Sequence, residues 1–187
     1  MQTQSTGASA QHRVWDPLVR VIHWALVAGV AAVWITSEAG RPLHEPIGYV
    51  IAAAVGLRLI WGLIGSRYAR FTQFLRGPGA TLQYGTQVLQ GRAPRYVGHN
   101  PLGAWMIMAL LLALAVTAGT GWMMTLDRFF GDEWLEELHE AAASGLLILA
   151  GLHVGGVILS SWQHGENLVR AMINGRKRAA AVGDVDR

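Results

Sequence analysis

Two of the seven histidines, His139 and His153, lie fourteen residues apart in one long apolar run. On an α-helix fourteen residues make four turns less about 40°, so both imidazoles face nearly the same side. At about 1.5 Å per residue they stand roughly 21 Å apart along the axis. An ionisable ring is costly to bury in lipid, and imidazole is a common axial ligand of haem iron. One helix with this spacing can serve two haems, one near each membrane face, provided that other segments supply two more ligands.

His23 and His44 fit that need. His23 lies about five residues into the first apolar run, in Arg20-Val21-Ile22-His23-Trp24, and His44 opens the second. If four runs cross a membrane in alternation, His44 and His139 fall at one level and His23 and His153 at the other. Two bis-histidine sites follow from topology: His44 with His139, and His23 with His153. Arg58 follows His44 by the same fourteen-residue step, which sets it on the same face at the level of the second pair. A buried arginine needs an anion, and a haem propionate would serve; Arg20, three residues before His23, is a second candidate. His12, His99 and His164 read as solvated or capping residues.

The elements that must hold these groups are legible in the hydropathy. Of 187 residues, 52% are hydrophobic and 14% charged, with a positive mean hydropathy of +0.30. Four runs, 18–37, 47–66, 101–125 and 140–162, approach or exceed the roughly 20 residues that span a bilayer. The expected fold is all-α: an integral membrane four-helix bundle enclosing two haems, within a single domain at 14–178. A disordered polar tail at 1–13 precedes it and a short tail at 179–187 follows. The first run is too long for a signal peptide, carries His23 and lacks a small-residue cleavage site. Trp15, Trp34, Trp105, Trp122, Trp134 and Trp162 fall near helix ends, where amphipathic rings prefer to sit.

Within the loops, Pro42 and Pro46 are expected to break helix in the short link before the second span. Thr81 to Gln90 reads as an interfacial helix with Leu82, Val88 and Leu89 toward the membrane. Asn100 and Pro101 read as the cap and first residue of the third span. On the fourth, Ala142, Ala143, Leu146 and Ala150 share the face between the two histidines and leave room for flat macrocycles. Gly151-x-x-x-Gly155 suits tight helix packing.

Charge gives an orientation. The side bearing both termini and the long 67–100 loop holds thirteen of the fifteen arginines and lysines and four acids. The opposite side holds Arg41 and Arg128 against eight acids running from Glu38 to Glu140. The positive-inside rule then puts both termini in the cytoplasm, and the basic balance reflects topology rather than nucleic-acid binding. The chain has no cysteine, which excludes disulfides, cysteine-ligated iron–sulfur clusters and covalent c-type haem. Two ligands per site are too few for structural zinc. A histidine proton relay is disfavoured by the absence of carboxylates within the spans.

These residues resemble the bacterial cytochrome b561 family, related to the cytochrome b subunits of nickel–iron hydrogenases. The matching pieces are Ile22-His23-Trp24, His44 with Arg58, and His139-Glu140 through Gly151-Leu152-His153. Arg67-Tyr68-Ala69-Arg70-Phe71 and Gly98-His99-Asn100-Pro101-Leu102-Gly103 look like the hydrogenase-type branch. The resemblance covers 14–178. It implies a four-helix protein of the bacterial inner membrane with two b haems, passing electrons between periplasmic partners and the quinone pool, with ubiquinone or menaquinone as substrate. A quinone pocket could lie beside Arg58, Trp61 and the long loop, or near Trp122 and Trp134. Some relatives oxidise superoxide and reduce ubiquinone; others serve a hydrogenase or another periplasmic redox protein. The acidic outer side favours a basic periplasmic redox protein, such as a c-type cytochrome, over superoxide; a hydrogenase-like complex is the other partner the resemblance implies. The alternative from another class is a cofactor-free four-helix anchor or assembly subunit whose histidines only bridge helices.

Overall fold

A computed structural model describes residues 11–37 and 41–186. Glu38, the first ten residues of the expected disordered tail and the final Arg187 lie outside the described residues. In chain order the elements are β1 (Gln11–Arg13), α1 (Pro17–Ile35), α2 (Arg41–Ile64), α3 (Phe71–Phe74), α4 (Pro78–Leu89), α5 (Pro101–Met123), α6 (Glu133–His164), α7 (Leu168–Asn174) and β2 (Arg176–Arg178). The helices α1, α2, α5 and α6 are long and apolar enough to cross a membrane. Exposed large side chains such as Val50, Leu112, Ile148 and Ile158 form a lipid-facing belt, as a bilayer solvent requires.

Capping fixes where the spans begin. Asp16 accepts from Val19 N (2.9 Å) ahead of Pro17, and Asn100 accepts from Gly103 N (2.7 Å) ahead of Pro101. Each pairs a side-chain cap with a proline at the first helical position, where no N–H is needed. Two helices start earlier than hydropathy indicates. Pro42 and Pro46 do not break the chain; α2 runs from Arg41 through both. Pro42 sits where no intrahelical bond is yet due, and Pro46 forfeits only one in the opening turns. The acidic stretch before His139, which the apolar run 140–162 leaves outside the fourth span, is helix: Glu133 and Glu136 sit in the first turn of α6, where negative charge is favoured by the helix dipole. His44 and His139 thus lie inside their helices. At 32 residues, α6 is about 48 Å long, so it extends well beyond the hydrocarbon layer.

Packing follows the order α1 on α2, α2 on α5 and α5 on α6. The mid-bundle core is Ile51, Val55, Leu114 and Leu146, with Leu26, Val30 and Leu110 against it. Gly29 admits Ile51, since a Cβ there would meet Ile51 Cγ1 at 2.9 Å. Leu146 is therefore a packing residue of this layer and leaves no opening, contrary to the reading of its helix face. The Gly151/Gly155 pair also differs from expectation: a Cβ on either would meet nothing within 4 Å, so it packs no helix of this chain.

The first and last described segments meet at one end of the bundle, the terminal end. The tail orders earlier than expected: β1 pairs antiparallel with β2 in the register Gln11–Arg178, His12–Lys177 and Arg13–Arg176. A buried ion cluster locks this end. Arg95 donates to both oxygens of Glu166 (2.8 and 3.1 Å) and to Asp184, while Lys177 lies 3.5 Å from Glu166 and donates to Tyr96 O (3.0 Å). Arg95 and Lys177 are each 5% exposed, so the pairing compensates charges that water does not reach. Val185 continues the closure by bridging to Tyr96. The amphipathic α4 lies alongside, with Leu82 and Leu89 fully outward and Tyr84 buried against Tyr96.

A candidate bis-imidazole membrane site

Four histidines come together in two pairs. The rings of His23 on α1 and His153 on α6 have centres 6.4 Å apart, tilted by 57°. Those of His44 on α2 and His139 on α6 are 6.2 Å apart at 70°. A metal shared by two opposed imidazoles, with bonds of about 2.0–2.1 Å and about 1.2 Å from each nitrogen to its ring centre, needs ring centres about 6.4 Å apart. Both separations meet that requirement. They are too long for a direct hydrogen bond along the ring axes, so a purely helix-bridging role is poorly served. The closest backbone packing runs α5 on α6, α1 on α2 and α2 on α5, so the helix pairs that carry the rings, α1/α6 and α2/α6, are not the tightly packed ones.

At the far end the ring orientations are fixed from behind. His44 Nδ1 lies 3.1 Å from Val33 O, and His139 Nδ1 lies 3.0 Å from Thr120 Oγ1. A carbonyl can only accept, so Nδ1 of His44 carries the proton and Nε2 keeps its lone pair for a metal. Thr120 directs its own hydroxyl proton to Val116 O or Thr117 O and can accept from His139 in the same manner. Gly121 allows the approach: a Cβ there would meet His139 Cε1 at 3.1 Å. Thr120 and Gly121 were not among the residues read from sequence; a hydroxyl beside a glycine, in a span otherwise nearly all apolar, was the available signal.

At the terminal end the polar groups are unsatisfied. Among the described residues, the buried side-chain atoms without a partner are Arg20 Nε, His23 Nδ1, Arg58 Nη1, both amide atoms of Gln73, and His99 Nδ1. Arg20 lies three residues before His23 on α1, and Arg58 and His153 lie within electrostatic reach of His99. Arg58 is 7% exposed, stacks 5.0 Å from the Phe71 ring centre and donates Nη2 to Ala69 O (3.2 Å). Gly62 makes room for that Phe71 ring, which a Cβ would strike at 2.1 Å. Asp16 lies within electrostatic reach of Arg58, yet its oxygens are taken by Val19 N, Trp61 Nε1 (3.1 Å) and Ser66 Oγ. Arg20 donates Nη1 to Ile173 O on α7, and its Nε borders Gly175, so it ties the end cap to α1. This set of cations and idle donors suits the carboxylates of a haem, and so the donor chemistry at both ends fits the group.

The remaining histidines separate. His12, on β1, is exposed and stands edge-on to Tyr68. His164 closes α6. His99 is not a solvated loop residue: its ring is clamped between Trp15 and Phe74, each 4.5 Å between centres.

The far surface is acidic. Asp127, Glu133, Glu136, Glu137 and Glu140 are exposed around the start of α6, and among the described residues none of them forms an ion pair.

Fold and site together define a multi-pass α-helical membrane protein with two internal imidazole pairs. The chain belongs to the prokaryotic cytochrome b561 family, whose family model matches residues 14–175. It is accordingly a membrane b-type cytochrome of electron transfer. No curated protein and no solved structure matches it.

Proposed function

We propose that the chain is a di-haem cytochrome b of the bacterial inner membrane, carrying electrons between a periplasmic redox partner and the quinone pool. The observation that carries this reading is the pair of ring separations, 6.4 and 6.2 Å, repeated on one helix at two levels. His23 and His153 would hold one haem b, and His44 and His139 the other. Haem b supplies reversible one-electron storage at its iron. The four imidazoles would hold the irons and keep oxygen and other small ligands off them. Val33 O, and Thr120 in the same role, hold the Nδ1 protons of His44 and His139 and so keep Nε2 aimed inward. Arg58 and Arg20 would neutralise propionates at the terminal end, which the charge balance assigns to the cytoplasm.

The expected preparation is red, with a reduced-minus-oxidised b-type difference spectrum and two haems per chain. A folded, colourless protein would overturn the reading in favour of a cofactor-free anchor.

The acidic far surface supports a cationic periplasmic partner over superoxide, because a negative field steers cations in and repels anions. Reduction by a basic c-type cytochrome is expected to speed up several-fold as salt is lowered, and reduction by superoxide to slow. Superoxide reacting faster at low salt would favour the superoxide:ubiquinone oxidoreductase instead.

A further inference from the structure

His99 and Gln73 are polar residues with no role in the mechanism so far, and both are held where a ligand of the terminal-end site could reach them. His99 sits in the linker just before α5, its ring fixed by Trp15 on one side and Phe74 on the other. Gln73 precedes Phe74 and borders Gly98, where a Cβ would lie 3.6 Å from Gln73 Oε1 and 3.0 Å from Tyr68 Cδ1. Absence of a side chain at Gly98, the residue before His99, leaves room for the Gln73 amide. Neither the His99 Nδ1 nor either amide atom of Gln73 has a partner, though all three are sealed from solvent. A clamped ring with an idle ring nitrogen costs free energy unless a ligand completes it.

The surroundings select the charge of that ligand. Arg58, Lys177 and His153 lie within electrostatic reach of His99, Arg58 keeps Nη1 unpaired, and Asp16 has its oxygens engaged. Burial, reinforced by those neighbours, pushes the His99 imidazole down to about 3. The ring is therefore neutral at physiological pH, and in the tautomer protonated at Nδ1 it is a donor in an electropositive recess.

On the reading given under Proposed function, we infer that His99 Nδ1 and the Gln73 amide, beside Arg58, bind a propionate of the haem held by His23 and His153. They are positioning residues: they touch no metal and set how well the carboxylate charge is compensated. Weaker compensation favours the oxidised, more positive haem and lowers its potential.

The test is a redox titration of detergent-purified holoprotein, resolving the two haems. His99→Phe keeps the aromatic clamp and removes the donor. It should retain both haems and lower the reduced-to-oxidised ratio of the inner one about tenfold at fixed ambient potential, or about 59 mV for one electron, leaving the outer unchanged. His99→Gln keeps a donor and should stay within about twofold of wild type. If His99→Phe sheds the inner haem, retention by His99→Gln supports the inference equally. Unchanged potentials in His99→Phe, or an equal shift in both variants, overturns it. Unchanged potentials with weakened quinone-driven reduction would assign the pair to a quinone and also overturn it. Wild-type protein lacking haem defeats the functional reading itself, so the two failures are distinguishable.

Discussion

His153→Ala protein is expected to carry one haem in place of two, with the outer haem's spectrum and potential intact. On the proposed reading the substitution would remove one of the two imidazoles that hold the haem at the terminal-end pair, leaving His23 alone. His44→Ala or His139→Ala should delete the other haem, and His12→Ala neither. Because alanine leaves a ring-sized gap opposite His23, added imidazole should refill it and restore the lost bands in His153→Ala. His153→Ala retaining two haems, or a loss spread evenly over both spectral components, would count against the pairing.

Glu166→Ala is expected to cause the largest loss of stability outside the haem ligands, about 3–5 kcal/mol, the usual cost of stranding a buried charge. Glu166 accepts from Arg95 through both oxygens, from Arg178 N (2.7 Å), and lies beside Lys177. Without it two buried cations retain only Asp184 and backbone carbonyls. The readouts are the melting temperature in detergent and tryptic cleavage at Arg176, Lys177 and Arg178, which should become rapid once the β1/β2 pair opens. A melting temperature and cleavage rate equal to wild type would refute it. Acid should produce the same opening. Burial raises the Glu166 carboxyl, but the Arg95 and Arg178 bonds and the Lys177 charge hold it below its ordinary 4.5; Asp184 is likewise held below 3.8. A carboxyl lowered on folding contributes fully above its unfolded value and loses that contribution as pH falls through the folded one. Protection at the tail should therefore persist at neutral pH and fade only below about 4.

The bundle could be read from hydropathy because each span is an uninterrupted apolar run, and the four rings because helical spacing converts sequence distance into level and face. Other features had signals that pointed elsewhere. The glutamates before His139 look like a loop by charge, though acids at a helix start are favoured by the dipole. His99 precedes an Asn-Pro cap and reads as its appendage; its burial comes from Trp15 and Phe74, which are local to it only in the fold. The β1/β2 pair is three residues of polar and basic chain on each side, with no alternation to betray it, and its partner is more than 160 positions away. Gly151 and Gly155 match a packing motif but face away from the chain's own helices, a direction that spacing alone does not distinguish.

The apolar layer of Ile51, Val55, Leu114 and Leu146 lies between the two histidine levels, and it has an electrical consequence. On the proposed di-haem reading, it would place most of the membrane's insulating thickness between the two ends of the electron path. An electron passing from one level to the other traverses about 21 Å of a hydrocarbon core about 30 Å thick, roughly two-thirds of the membrane field. Full crossing of one charge is worth about 2.3 kcal/mol per 100 mV, so this step carries about 1.6 kcal/mol per 100 mV. Electron flow through such a protein would be electrogenic, and the standing membrane voltage would bias the two haems' relative occupancy in proportion.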